Sequence, residues 1–206
     1  MPISQIVTNS IANGAVVADD LADSSVTNAK IASMAASKLT GQVPRANATS
    51  GSVIQTVVTQ ISSVVTVSTP TIYTFYDIPS FTVTITPTSA SNRILILSMV
   101  SVSSSTSSGD RTYLRLLRDS TPIGRGDALS NLLRVNAEFW NNDGTNVVNQ
   151  NIQWLDSPAT TSAITYKFQC TSNVNGGTSI FNRSRDTNLD QHQTQSTQIL
   201  ALEIAA

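Results

Sequence analysis

Residues 81–86 read Phe-Thr-Val-Thr-Ile-Thr, and this stretch decides the fold class. Apolar and polar side chains alternate strictly, so an extended chain carries Phe81, Val83 and Ile85 on one face and threonines on the other. A period of two residues is typical of a β-strand with one face on a core and the other in water. The stretch therefore predicts an antiparallel sheet that is covered on one side.

Runs of this kind recur from Val53 to the end of the chain. They are rich in Val, Ile, Thr and Tyr and are separated by turn residues, which indicates strands. We predict strands at 53–59, 63–68, 71–77, 81–86, 93–103, 111–118, 131–141, 147–155, 163–171 and 197–204. Because no helical pattern separates them, we predict an all-β fold, an antiparallel, jelly-roll-like β-sandwich. Only two alanines follow the last strand, so we expect no domain after it.

One predicted strand is apolar on both faces. Ile94 and Ile96 alternate with Leu95, Leu97 and Met99. Such a strand is buried on both sides. Two arrangements explain it: the strand is central to a sandwich, or another subunit covers it.

The first third of the chain has a different pattern. No aromatic residue precedes Tyr73, and apolar residues recur five apart, a spacing that fits neither a helix nor a strand. A four-sided β-helix, an irregular rod of several chains and an accidental spacing in a disordered tail all remain open. We favour the rod, because neighbouring chains supply burial that one chain lacks. The residues that would line its threefold axis are Ile6, Ile11, Val16, Leu21, Val26 and Ile31.

The predicted organisation is a thin, mostly irregular attachment and shaft segment at residues 1–50, followed by a sandwich knob at 51–206. Gly41, Pro44 and Gly51 mark the linker near the boundary.

Composition narrows the function classes. Hydrophobic residues make up 40% of the 206 residues and charged residues 12%, with a formal net charge of −1. Nucleic-acid binding needs clustered basic residues, and a bilayer span needs roughly 20 apolar residues in a row, so neither is expected. No basic segment leads into an apolar run at the start, so we expect no classical signal peptide. One Cys and one His leave little scope for a disulfide, a metal or a cofactor, and we expect none.

Few residues suggest catalysis, and we expect no enzyme activity. His192 lies in a polar stretch, and Cys170 shares a strand face with Tyr166 and Phe168, which favours a buried thiol. Glu138 and Glu203 stand inside predicted strands. We expect Glu138 to meet Arg115 or Arg134 across a subunit boundary.

Arginines are concentrated between residues 111 and 134. Arg111 and Arg115 share one strand face with Tyr113. A polar face that carries local ion pairs is the favoured interpretation, and a binding surface for an anionic or sugar ligand is the alternative.

Several phrases resemble the fibre proteins of tailed bacteriophages. In the shaft region they are SVTNAKI (25–31) and SKLTGQVPRA (37–46). In the knob they are SGSVIQTV (50–57), ITPTSASNRILILSMVSV (85–102), LRLLRDSTPIG (114–124), WLDSPATTSAITYKFQ (154–169), NRS (182–184) and LALEIAA (200–206). The knob phrases are similar to a module of fibres from phages that infect cyanobacteria. The resemblance implies a homotrimer with its amino end on the virion and its knob distal. The shaft is shorter than in typical tail fibres, so a short tail fibre, a baseplate or neck appendage and a head fibre all fit.

The sequence therefore predicts a non-enzymatic virion structural protein, a trimeric tail fibre whose knob binds the host cell surface. Its partners would be other virion proteins, through the amino-terminal segment, and a host glycan or envelope component. Localisation would be the virion, after assembly in the host cytoplasm. The predicted recognition loops are 141–144, 173–178 and 186–193, with candidate residues Asn141, Asn142, Asp143, Asn175, Asn188 and Asp190. The alternatives are a head, neck or baseplate appendage without a receptor role and a polysaccharide depolymerase.

Overall fold

The structure is a computed structural model that describes residues 12, 15–22, 25–27, 48–104, 109–141, 146–186 and 193–206. The chain separates into two units, Met1–Val43 and Pro44–Ala206. Across the described ranges, no helix has the length and apolar character needed to cross a membrane.

The described part of the first unit contains one turn of 3-10 helix, Ala18–Asp20. Three residues of the five-residue period are about half exposed in a single copy: Val16 at 49%, Leu21 at 47% and Val26 at 52%. The other three, Ile6, Ile11 and Ile31, lie outside the described residues. The shared axis stays a prediction.

The second unit is built from β-strands. In chain order they are β1 (Val53–Ile61), β2 (Val65–Thr69), β3 (Tyr76–Ile85), β4 (Arg93–Ser104), β5 (Asp110–Arg118), β6 (Thr121–Ile123), β7 (Ala137–Asn141), β8 (Val148–Asp156), β9 (Ile164–Ser172), β10 (Gly177–Phe181) and β11 (Thr197–Ile204).

These strands form two antiparallel sheets. In the first sheet, β1, β11, β4 and β8 lie side by side. The last residues of β4 also pair with β10, and β10 pairs with β2 on its other side. In the second, β3, β9 and β5 are neighbours, and β6 and β7 pair with different parts of β5. The two sheets confirm the predicted all-β, antiparallel sandwich.

A hydrophobic core lies between the sheets. Phe81, Val83 and Ile85 of β3 are at most 1% exposed, as the alternation predicts. The ring of Phe81 packs edge-on against Phe181 of β10, with 5.2 Å between the centroids. This aromatic pair joins the second sheet to the first.

Two predicted strand boundaries are wrong. Residues 71–75 of the predicted strand 71–77 are not in a strand. Tyr76 and Asp77 begin β3, which continues through a bulge between Asp77 and Thr82 to Ile85. Pro79 lies in the bulge and has no N–H to donate to a ladder. The segment predicted as a strand at 131–141 is extended only from Ala137 to Asn141, since β6 already occupies the neighbouring edge of β5.

Two strands were not predicted. β6 contains Pro122 and β10 begins at Gly177, and both residues ordinarily signal turns. Pairing with longer neighbours outweighs these weak local preferences.

Cys170 confirms the prediction of a buried thiol. Its side chain is 0% exposed, and burial raises the pKa of the Cys170 thiol to about 12. Because the thiolate is the reactive form, we expect a thiol reagent such as DTNB to react about a thousandfold more slowly with the native protein than with the unfolded chain. The measurement is the rate of colour release with and without denaturant. Rapid stoichiometric reaction of the native protein would contradict this burial.

Candidate functional site: the arginine–aromatic face

The outward side of the second sheet carries a group of charged side chains together with aromatic rings. On β5, Arg111, Tyr113 and Arg115 point outward because they alternate with buried Thr112 and Leu114. Strand pairing places side chains of β7, β9 and β3 beside them. We call this surface the arginine–aromatic face: Tyr73, Phe75, Asp77, Arg111, Tyr113, Arg115, Glu138, Trp140, Lys167 and Gln169.

At one end of the face, Arg111 is held by two partners. Its Nη1 forms an ion pair with Glu138 Oε1, and each side chain is 37% exposed. Its guanidinium lies 5.0 Å from the ring centroid of Trp140. Trp140 is itself 57% exposed, so its indole is available to a ligand.

A second cluster surrounds Arg115. Its guanidinium lies 3.8 Å from the ring centroid of Phe75, and its Nε donates to Gln169 Oε1 at 2.7 Å. Asp77 Oδ1 accepts from Gln169 Nε2 at 2.6 Å, and its Oδ2 accepts from Lys167 Nζ at 2.9 Å. The hydrogen bond from Lys167 is the main reason that the pKa of Asp77 lies below its usual value. These contacts fix the side chains in defined positions.

Tyr73 and Tyr113 extend the aromatic surface, with 6.2 Å between their ring centroids. Tyr73 is 50% exposed and has a φ of 57°, a left-handed conformation that is uncommon for a bulky residue. Its N–H donates to the Ser172 carbonyl at 3.1 Å, and the neighbouring Ile72 N–H donates to Asn175 Oδ1 at 3.2 Å. The start of the 173–178 loop thus supports Tyr73.

The chemistry of the face suits a polar ligand with apolar patches. Exposed rings of Trp140 and Tyr73 can stack on flat apolar groups, such as the C–H faces of sugars. Three cationic and two carboxylate side chains supply charged donors and acceptors, and Gln169 supplies neutral ones. Of the residues that the structure describes, no group of three or more His, Cys, Asp or Glu could hold a metal ion.

The predicted recognition residues fall into three groups. Asn141 is 1% exposed, and its Nδ2 donates to Ser104 Oγ at 3.3 Å, so its amide does not face solvent. Asn175 is exposed and contacts the segment that holds Tyr73. Asn142, Asp143, Asn188 and Asp190 lie outside the described residues, as does His192.

Glu138 has a partner within the chain that was not predicted, and a contact across a subunit boundary stays a prediction. Glu138 pairs with Arg111 of the same chain rather than with Arg115 or Arg134. The cause is the register of β5 and β7, which places Glu138 opposite Tyr113 and Trp140 opposite Arg111. Arg134 instead donates from Nε to the Gly126 carbonyl at 2.7 Å.

Glu203, the other carboxylate within a predicted strand, is 0% exposed. Its Oε1 accepts hydrogen bonds from Thr88 N, Thr88 Oγ1 and Asn92 Nδ2 at 2.6, 2.7 and 2.7 Å. Its Oε2 accepts from Gln55 Nε2 at 3.1 Å. These contacts tie β11 to β1 and to the turn between β3 and β4, which is a structural role.

No protein-family model and no curated protein matches the chain. Among solved structures, that of infectious bursal disease virus Gt strain aligns with a TM-score of 0.40 at 11% identity, covering 82% of this chain and 42% of that chain. The structure of the Gx strain aligns with a TM-score of 0.38 at 10% identity, covering 75% of this chain and 37% of that chain. The VP2 subviral particle of the same virus aligns with a TM-score of 0.34 at 15% identity, covering 82% of this chain and 42% of that chain. The alignments span about two-fifths of those chains. Scores of this size do not establish a common fold or function.

Proposed function

We propose that this chain is a non-enzymatic structural protein of a virus particle, a homotrimeric fibre of a tailed bacteriophage. The amino-terminal segment attaches to other virion proteins, and the sandwich knob binds a glycan on the host cell surface. The fibre assignment is supported by the phrases at 25–31, 37–46, 85–102 and 114–124 and by the five-residue period of the shaft.

The observation that carries the receptor role is the arginine–aromatic face. A solvated sheet face built only for solubility has no need for a half-exposed tryptophan, and Trp140 is 57% exposed. Single exposed apolar residues are ordinary, but here Trp140, Tyr113 and Tyr73 lie on one surface with fixed arginines. Rigid aromatic groups with adjacent hydrogen-bonding groups are typical of recognition surfaces.

Three copies would strengthen a weak site. Glycans present many identical units, so a trimer that engages several of them gains avidity through effective concentration. A modest affinity at each face is therefore sufficient for attachment.

Replacing Trp140 with alanine is expected to weaken binding of the full chain to a glycan array. The array carries bacterial lipopolysaccharides, capsular polysaccharides and exopolysaccharides, including cyanobacterial envelope fractions. Loss of the stacking ring should lower affinity about tenfold per site, equivalent to about 1.4 kcal/mol, and more on a multivalent surface. Bound protein as a function of concentration gives the measurement.

Trp154→Ala is the matched control, because Trp154 is 40% exposed but belongs to the first sheet. Both variants must keep Cys170 shielded, which reports that they are folded. Equal loss in both variants would exclude the arginine–aromatic face as the site. If the full chain bound no fraction, the receptor role would fail and a head, neck or baseplate appendage would remain. Release of oligosaccharides from a bound polysaccharide would indicate a depolymerase.

A further inference from the structure

The outward side of the first sheet has an apolar centre. Inward positions on its central strands, such as Ile96 and Ile199, are 0% exposed and belong to the core. The alternate positions point away from the core, and most of them are also apolar. We call this surface the apolar face: Val58, Leu95, Leu97, Met99, Leu155, Leu200 and Leu202.

Strand register makes these side chains contiguous. Val58 pairs with Leu200, and Leu200 pairs with Leu97 across the next gap. In the neighbouring row, Leu202 pairs with Leu95, which pairs with Leu155 of β8. Directly opposed side chains lie within contact distance, so the two rows form one patch. Val58, Met99 and Leu155 are 48%, 38% and 42% exposed.

The two outer faces of the sandwich differ in charge. The outward side of the second sheet carries the ion pairs Arg111–Glu138 and Lys167–Asp77. Outward positions on β1, β11, β4 and β8 include no Asp, Glu or Lys, and their only charged residue is Arg93, at the end of β4. The outward side of an antiparallel sheet is normally polar when water covers it.

Amide side chains border one end of the apolar face. A depression of about 230 Å³ is lined by Leu97, Met99 and Leu200 together with Asn151, Gln153 and Gln198. An amide both donates and accepts hydrogen bonds, so it can pair with its own copy. Charges of one sign would repel each other when identical copies meet through the same face. Neutral apolar and amide groups cause no such repulsion.

We infer that the apolar face is buried against other copies of this chain. The inference rests on the proposed homotrimer, and it assigns the contact surface of the knobs, with three copies turning this face toward a common axis. It is independent of the receptor role.

The area of the apolar face is large enough for a contact between knobs that the shaft also holds together. Four strands about 4.8 Å apart and about eight residues long at ~3.3 Å per residue give roughly 500 Å² per copy. That is below the ~800 Å² per partner of a standard interface. The predicted shaft contacts would hold three knobs at high effective concentration, so a contact of this size suffices. The test therefore uses the full chain.

Met99 is the natural reporter of this contact. Its thioether is 38% exposed in a single copy and would be oxidised readily by hydrogen peroxide if the face were open. In the assembled wild-type protein, we expect Met99 to oxidise about tenfold or more slowly than in the urea-unfolded chain. Peptide mass spectrometry measures both rates, and light scattering measures the mass against 21.9 kDa for one chain.

The double variant Val58→Lys/Leu155→Lys places two charges at exposed edges of the apolar face. In this variant we expect Met99 to oxidise at the rate of a solvent-exposed methionine. We expect the mass from light scattering to fall as the trimer dissociates. Thr84→Lys/Thr161→Lys is the control, because both threonines are exposed in or beside the second sheet, and it should change neither readout. Slow reaction of Cys170 with a thiol reagent shows that a variant is folded. If the double variant does not fold, the rate of Met99 oxidation in the wild-type protein tests the inference by itself.

Two results would overturn the inference. A wild-type trimer whose Met99 oxidises as fast as in the double variant would leave the homotrimer standing with this face open. A wild-type protein with the mass of one chain would refute both the homotrimer and the contact. Neither result bears on glycan binding, which the array measures separately.

Discussion

Replacing Glu203 with leucine is expected to lower the free energy of unfolding by about 3 to 5 kcal/mol, because the change leaves several buried donors without an acceptor. The Thr88 N–H, the Asn92 amide and the Gln55 amide all donate to this carboxylate. Leucine has a similar size and no acceptor. Urea unfolding of wild type and variant at one protein concentration measures the difference.

The stabilisation that Glu203 provides should decrease as the pH falls. Burial alone would raise the pKa of Glu203, but hydrogen bonds from Asn92 and Thr88 outweigh it, so the pKa lies below the ordinary value. A depressed pKa means that the stabilisation is fully present above the unfolded-state pKa of about 4.3 and is lost as the pH falls through the folded-state value. The difference in free energy of unfolding between wild type and Glu203→Gln should therefore become smaller below about pH 4.

Glu138→Leu is the control for Glu203→Leu. The Glu138 side chain is 37% exposed and pairs with Arg111 on the surface. Exposed pairs contribute little, so this variant should lose under about 1 kcal/mol. Similar losses at both positions, or a gap that widens in acid, would contradict the structural role assigned to Glu203.

The fold was predictable because the decisive signal is local. Alternation at residues 81–86 identifies which side chains enter the core, and Phe81, Val83 and Ile85 do so. The misplaced boundaries have non-local causes. β10 exists because β2 and β4 lie on either side of it, and no property of Gly177 or its neighbours indicates that pairing.

The strand at 93–103 shows where sequence reasoning ends. Its two apolar faces left two arrangements open, a central strand or a subunit contact. β4 is central in its sheet, yet Met99 on its outward side remains 38% exposed in one copy. Burial of that side depends on molecules outside the chain, and alternation within one strand carries no information about them.

The candidate site was predictable only in part. Arg111, Tyr113 and Arg115 are two residues apart, so their shared face follows from the period of a strand. Trp140 reaches Arg111 through the register of β5 and β7, and Tyr73 reaches Tyr113 from the loop that precedes β3. Register and loop path are set by tertiary pairing, which explains why neither aromatic residue was assigned to the site from the sequence.

Phe81→Ala is expected to lower the free energy of unfolding by about 3 to 5 kcal/mol, since the ring is fully buried and a cavity would remain. A further ~0.5 to 1.5 kcal/mol belongs to its edge-on contact with Phe181. Natural domains are stable by only about 5 to 15 kcal/mol, so this change removes a large share. Phe81→Leu keeps most of the volume and should cost about 1 to 2 kcal/mol.

The matched control is Phe75→Ala, because Phe75 is partly exposed and stacks on Arg115 at the surface. It should cost about 1 kcal/mol or less. A double-mutant cycle of Phe81 and Phe181 isolates their contact, and we expect coupling of about 1 kcal/mol. Since this pair joins the sheet that bears the arginine–aromatic face to the sheet that bears the apolar face, Phe81→Ala should also expose Cys170 to thiol reagents. Equal costs for Phe81→Ala and Phe75→Ala would mean that the core between the sheets is not centred on this pair.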